Sequence, residues 1–155
     1  MDNTRLHEDL NGYFIEDLSV GKSAVFAKTI TESDIVLFSG VTGDMNPVHV
    51  NEDFAQDTIF KGRIAHGMLT ASLISTVLGM KMPGPGCIYL SQDLRFLAPV
   101  RASDTVTARA TITEIIPEKK RIICKTTASI GEKLVCDGQA KMMVRSRAEE
   151  EAAKG

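Results

Sequence analysis

The sequence predicts an α+β domain in which an antiparallel β-sheet is wrapped around one long central helix. Three observations lead there. Residues Met68 to Met80 are apolar on nearly every side, relieved only by Thr70, Ser72, Ser75, Thr76 and Gly79. After Gly86 the apolar period changes to two and holds through four successive runs. The chain has 155 residues, which is one domain's worth, and a chain of that size can bury about two-thirds of its surface. A helix without a polar face has to be covered on most sides, and a sheet with one apolar face is the economical cover.

Each element has its own signal. Residues 1 to 20 are polar with scattered apolar side chains (Tyr13, Phe14, Ile15, Leu18, Val20) and read as a loose lead-in, with residues 1–12 expected to be flexible. Ser23 to Ile30 is compatible with a strand. Thr31-Glu-Ser-Asp34 has the spacing of a capping box, with Asp where Glu or Gln is usual. The helix it opens carries Ile35, Phe38 and Val41 and is over by Gly43, since Gly43-Asp-Met-Asn-Pro47 is dense in breakers. A short helix from Asn51 to Gln56 is expected, then an irregular run to Ala65.

The apolar helix follows and is stopped by Pro83-Gly-Pro-Gly86. In the first strand beyond it Ile88, Leu90, Leu94 and Phe96 alternate with polar residues, although Gln92 interrupts the series. In the second, Val106, Ala108, Ala110 and Ile112 alternate mostly with threonines. Two further β-branched runs span 121–130 and 133–144, with turns at Pro117-Glu-Lys-Lys120 and Gly131-Glu132. Residues 147–155 read as a solvated, flexible tail. Neither a repeat nor a linker divides residues 1–155, so a single domain is expected. One helix covers only part of such a sheet, so the remaining face or edge is expected to meet a second copy, in a homodimer or larger assembly.

Composition narrows the function classes. Hydrophobic residues make up 43% and charged residues 25%, ordinary values for a soluble globular domain. With 18 basic against 20 acidic residues the net charge is −2, so no basic field favours nucleic acid or an anionic membrane. The apolar helix is too short to cross a bilayer, and the first residues lack the apolar run of a signal peptide. Cys87, Cys124 and Cys136 are odd in number and have no C-x-x-C spacing, which points to reduced thiols and a cytoplasmic location. No G-x-S-x-G occurs. Gly84-Pro-Gly86 follows a helix and precedes a strand, the reverse of a phosphate-binding loop. Lys61, Arg63, Lys81 and Arg95 could meet phosphates, though most such charges are merely solvated. With two useful histidines and no paired cysteines, no metal site is expected.

The remaining chemistry sits in two places. His7 falls in the lead-in and is set aside; His49 and His66 flank the least regular stretch. In Gly43-Asp44-Met45-Asn46-Pro47-Val48-His49 the proline prevents a continuous helix, and a turn there could bring Asp44 and His49 together. A convergent carboxylate and imidazole make an acid–base pair at neutral pH; the same string is also what an ordinary surface turn looks like. Ala65-His66-Gly67-Met68 begins the apolar helix, where unpaired N–H groups could receive an oxyanion, or where a glycine simply permits tight packing. Gly67, Ala71, Ser75 and Leu78 share one helix face, which either leaves room for a ligand chain or lets the helix approach the sheet.

Taken together, Gly-Asp44-x-Asn46-Pro47-x-His49, Ala65-His66-Gly67-Met68-Leu69, Ile88-Tyr89-Leu90 and Leu94-x-Phe96-x-x-Pro99-Val100 resemble the MaoC-like (R)-specific enoyl-CoA hydratases, in order and spacing, over roughly residues 20 to 145. The resemblance implies the hot-dog fold, usually dimeric, and reversible hydration of a trans-2-enoyl-CoA to an (R)-3-hydroxyacyl-CoA. It implies Asp44 and His49 as the catalytic pair, and Gly67 as the backbone donor to the thioester oxygen. Asn46 would hold the loop and, with Ser75 and Leu78, belong to the substrate-binding set. It implies no metal or redox cofactor, coenzyme A arriving as part of the substrate. A thioesterase and a non-catalytic acyl-CoA-binding module are the alternatives.

Overall fold

The computed structural model describes residues 10–153. The elements are β1 (Ser23–Thr29), α1 (Glu32–Thr42), α2 (Pro47–Val50), α3 (Glu52–Gln56), α4 (Gly67–Thr76, continued by a π turn at Val77–Lys81), β2 (Ile88–Phe96), β3 (Thr105–Ile116), β4 (Arg121–Ile130), β5 (Lys133–Met143) and α5 (Arg147–Ala153). The five strands form one antiparallel sheet in the order β1-β3-β4-β5-β2. Helix α4 packs across β1, β3 and β4. No helix among the described residues is long and apolar enough to cross a membrane.

Packing of α4 is set by side-chain size. Leu69, Leu73, Ile74, Val77 and Leu78 are buried along it, and the strand positions in the same core include Ala108, Ala110, Ala128 and Ala140, all fully buried. Alanines let the helix axis approach the sheet, while Val106, Ile112, Ile122 and Met142 fill the space around it. The threonines that alternate with them on β3 stay at the surface or partly exposed.

The capping box forms as read: Thr31 Oγ1 accepts the Asp34 N–H at 3.1 Å, and Asp34 Oδ2 accepts the Thr31 N–H at 2.8 Å. Gly43 ends α1 with φ +77°, its N–H donating to the Ser39 carbonyl at 2.8 Å. The inward face of α1 differs from expectation. Ile35 and Ser39 are buried and Val41 is exposed, because at about 100° per residue Val41 lies some 120° around the helix from Ile35.

Three other expectations are corrected. Strand β2 buries little of its alternate series: Leu94 packs against the core, but Ile88, Leu90 and Phe96 are exposed, because β2 is an edge strand with a neighbour on one side only. The lead-in is anchored: Ile15 and Leu18 are buried, and the Ile15 N–H donates to the Arg145 carbonyl at 2.8 Å. The tail is solvated as expected, with none of residues 147–153 buried, but these residues are ordered into a helix, α5; in the lead-in the Gly12 N–H donates to the Pro85 carbonyl. Residues 1–9 and 154–155, with His7, lie outside the described residues.

Helix α5 is held by charge to the lead-in and to the turn between β3 and β4. Arg147 pairs with Asp17 at 2.6 Å, Lys120 with Glu149 at 2.5 Å, and Glu16 accepts bonds from Ser146 Oγ and the N–H groups of Arg147 and Ala148. Desolvation pushes the Glu16 carboxyl up, but these donors outweigh it and hold the group at about 2. A carboxyl lowered on folding contributes stability that is present above its ordinary value of 4.5 and is lost as pH falls towards 2. The difference in melting temperature between the wild type and Glu16→Gln is therefore expected to be largest near neutrality and to vanish below about pH 2. Thermal melts across that range check it, and a constant difference would refute it.

Candidate active site

A cleft of about 430 Å³ opens at the N-terminus of α4. Asp44, His49, His66, Gly67, Met68 and Phe96 contribute to its wall, and residues of the β2–β3 connection, Leu97 to Val100, close the far side. The wall is mostly apolar, with its polar groups gathered at one end, as expected of a small-molecule site.

Local sequence builds that end. Asn46 is the N-cap of α2: its Oδ1 accepts the Val48 N–H at 3.2 Å, and Pro47 occupies the first helical position, where its missing N–H costs nothing. Thus Pro47, which forbids a helix through the whole string, starts the one that carries His49. Asp44 sits between the two helices, its N–H on Thr42 Oγ1 and its Oδ1 accepting the Asn46 N–H, both at 3.2 Å.

His49 is buried, and its Nδ1 donates to the Ile64 carbonyl at 2.8 Å. A carbonyl can only accept, so the proton is on Nδ1 and Nε2 is left for chemistry. Ile64 is itself held, its N–H donating to the Val48 carbonyl at 3.2 Å while Ala65 N–H donates to Val100 at 2.7 Å. The run before it is braced by Arg63, which pairs with Glu32 at 2.9 Å and Glu52 at 3.1 Å. Arg63 also holds the Glu52 carboxyl below its ordinary value.

His66 completes the cluster. It is only 2% exposed, and its ring lies 3.8 Å from the His49 ring, centroid to centroid, at 30°. Its Nε2 donates to the Asp44 main-chain carbonyl at 2.9 Å and lies 3.2 Å from Ser39 Oγ. Its Nδ1 and the Thr70 hydroxyl are buried without a protein partner, and both residues line the cleft. Asp44, His49 and His66 each offer a donor atom within 4.8 Å of the others. Of the two His66 nitrogens, Nε2 is taken by the Asp44 carbonyl.

Gly67 is the first residue of α4, so its N–H has no acceptor within the helix and lies at the positive end of the helix dipole, in the cleft wall. A Cβ there would come within 2.9 Å of the Phe96 ring, so the glycine is also required by packing.

Of the predicted site residues, the structure brings Asp44, His49 and Gly67 into one cleft. Asn46 uses its side-chain oxygen on the α2 cap and does not line the cleft, which fits loop support and not direct substrate contact. Ser75 lines a second cleft of about 510 Å³ with Ala71, Tyr89, Leu94, Met68 and Phe96. Met68 and Phe96 border both clefts. Leu78 is fully buried in the core and lines neither. The roles of His66 and Phe96 were not assigned from sequence; their only signal was membership of the short motifs around them.

Residues 19–134 match the family described as MaoC like domain. The chain is 55% identical to the (R)-specific enoyl-CoA hydratase of Rhodospirillum rubrum, over 90% of this chain and 97% of that one. It is 46% identical to the 3-hydroxybutyryl-CoA dehydratase of Methylorubrum extorquens, over 91% and 90% respectively. Among solved structures it is similar to an R-hydratase of Pseudomonas aeruginosa in the unliganded form, with a TM-score of 0.82 and 40% identity over 88% of each chain. The (R)-hydratase of A. caviae superposes with a TM-score of 0.80 at 36% identity, over 83% of this chain and 98% of that one.

Since Asn46 caps the helix that carries His49, Asn46→Ala is expected to lose about 1 kcal/mol of stability, as N-cap truncations typically do. Urea denaturation measures this, and an unchanged midpoint would show that the cap contributes nothing.

Proposed function

Because this chain belongs to the MaoC-like family, we propose that it is an (R)-specific enoyl-CoA hydratase, adding water reversibly across a trans-2-enoyl-CoA to give the (R)-3-hydroxyacyl-CoA. The observation that carries this reading is the meeting of the Asp44 carboxylate and the His49 ring in an apolar cleft that also holds the first N–H of α4.

The chemistry follows from what each group can do. The thioester oxygen lies at Gly67, whose N–H and helix dipole stabilise the negative charge that gathers there as the double bond is attacked. Asp44 and His49 hold the water between them. As its oxygen bonds to C3, Asp44 accepts one of the water's protons, and that proton is passed on through His49 Nε2, the nitrogen not engaged by Ile64, to C2, so that one water supplies both the hydroxyl and the C2 hydrogen and both residues end as they began. The hydrogen bond from Asn46 N–H leaves the second oxygen of Asp44 for the water. The reverse reaction uses the same groups with their roles exchanged.

The second cleft, which shares Met68 and Phe96 with the first, offers room for the acyl chain, with Ser75 in its wall and Leu78 in the packed core at the far end of the helix. Acid–base hydration calls for no metal or redox group, and coenzyme A comes with the substrate. We place the reaction in the cytoplasm, where Cys87, Cys124 and Cys136 remain free thiols; burial pushes the Cys124 thiol up to about 12, which keeps it unreactive.

The working unit in this reading is a homodimer. Strand β2 is an edge with unpaired backbone groups, and Ile88, Tyr89, Leu90 and Phe96 are exposed along it, a combination that a second copy of the chain would cover.

Two outcomes test these proposals. Asp44→Asn keeps an oxygen for the Asn46 N–H but cannot take a proton. It is expected to lower kcat for crotonyl-CoA hydration by about 10²–10⁴-fold, followed as loss of the conjugated thioester, with the melting temperature unchanged. Wild-type protein that binds acyl-CoA without turning it over would instead favour a binding module. Leu90→Lys is expected to shift the mass seen by light scattering from dimer to monomer, and a monomeric wild type would remove the dimer proposal.

A further inference from the structure

We infer that His66 is a positioning residue for the hydration reaction: it fixes Asp44 through that residue's main-chain carbonyl and supports the His49 ring by stacking. The inference rests on the proposed function, since it concerns how the same pair is held.

Three contacts meet in this one side chain. Nε2 donates to the Asp44 carbonyl at 2.9 Å, so the loop between α1 and α2 is tied to the start of α4 at the residue whose carboxylate must face the substrate. The ring lies 3.8 Å from that of His49 and 4.9 Å from that of Phe38 and is only 2% exposed, which leaves it little room to turn. By its place in the chain, His66 is the N-cap of α4, immediately before Gly67, yet its side chain makes no capping bond. A histidine at that position is a poor choice for helix stability, because small oxygen-bearing side chains cap far better. Its side chain is instead directed across the cleft wall to Asp44.

Asp44 has otherwise weak anchors. Its side chain is exposed, its neighbour Met45 is exposed, and its local bonds to Thr42 and Asn46 are both 3.2 Å long. The contact from His66 is the shorter one, and it comes from a buried, rigid element. His49 is held at Nδ1 by Ile64, but a single hydrogen bond leaves a ring free to swing about that bond; the stacked His66 ring blocks the swing. Removing the Nε2 donor also leaves the Asp44 carbonyl without its buried partner.

The roles separate by substitution. A glutamine places its amide nitrogen where imidazole Nε2 lies, whereas the amide of asparagine, one methylene shorter, falls at the Nδ1 position and does not reach the Asp44 carbonyl. Phenylalanine keeps the stacking and loses the donor. With crotonyl-CoA, His66→Phe and His66→Asn are each expected to lower kcat by about 10²-fold, the cost of misplacing a reacting group by about 1 Å, with KM changed less than about threefold. His66→Gln is expected to recover kcat to within about fivefold of wild type. Hydrogen exchange of the peptide covering residues 43–49 supplies a readout independent of turnover: faster in His66→Phe and His66→Asn, near wild type in His66→Gln.

Wild-type kcat in His66→Asn, equal losses in His66→Asn and His66→Gln, or a loss confined to KM would each overturn the inference. If the wild type itself does not hydrate enoyl-CoA, the proposed function fails, and the exchange pattern alone decides whether His66 positions the Asp44 loop. Should His66→Phe not fold, the two amide variants, which differ by one methylene, carry the comparison.

Discussion

An α-helix that is apolar on nearly every side cannot be left against water, and covering α4 is the constraint on which the rest of this structure depends. Each of Leu69, Leu73, Ile74, Val77 and Leu78 gains about 1.5–3 kcal/mol on burial, more than the roughly 0.5–1.5 kcal/mol of an ordinary neutral hydrogen bond. The sheet meets that helix through alanines, so the two layers approach closely and the helix has one seat. A helix so placed presents its N-terminus at a fixed point on the rim. The site is assembled there because the rim is where backbone N–H groups are unpaired.

The polar end of the cleft is built by segments that have little regular structure of their own. The Gly43–Asn46 turn, the four-residue helix α2 and the irregular run to Ala65 carry Asp44, His49 and the Ile64 carbonyl. They are held by short-range devices: an N-cap on Asn46, a left-handed Gly43, and the ion pairs of Arg63 with Glu32 and Glu52. Rigidity is conferred from outside the loops, by α4 through His66 and by the β2–β3 connection through Val100. The arrangement lets loops supply chemistry while regular elements supply position.

The termini contribute separately. The lead-in and α5 embrace the outer side through Glu16, Asp17, Arg145 and Arg147, with both arginines also lying over the Phe14 ring. These are contacts of exposed, charged groups and carry little of the stability, while the Gly12 and Tyr13 N–H groups tie the lead-in to the turn that follows α4.

What could be read in the amino-acid sequence was whatever depends on neighbours along the chain. The capping box at Thr31, the glycine that ends α1, the apolar run of α4 and the alternating β3 all follow from local sterics and hydrophobic period, and they appear where the pattern puts them. Asp44, His49 and Gly67 were legible as candidates because each sits in a short motif whose backbone geometry is forced by proline or glycine. Contacts across the fold were not legible. That β2 is an exposed edge, that Val41 turns outward, that Leu78 sinks into the core and that residues 147–153 dock as a helix depend on which surfaces meet. The composition of each segment does not encode that meeting. The stacking of His66 on His49 and its bond to the Asp44 carbonyl join residues 17 to 22 positions apart. Only the seating of α4 beside the loop brings them within reach, since hydrogen-bonding and stacking distances of 3–4 Å are decided by tertiary packing and leave no periodic trace in the sequence.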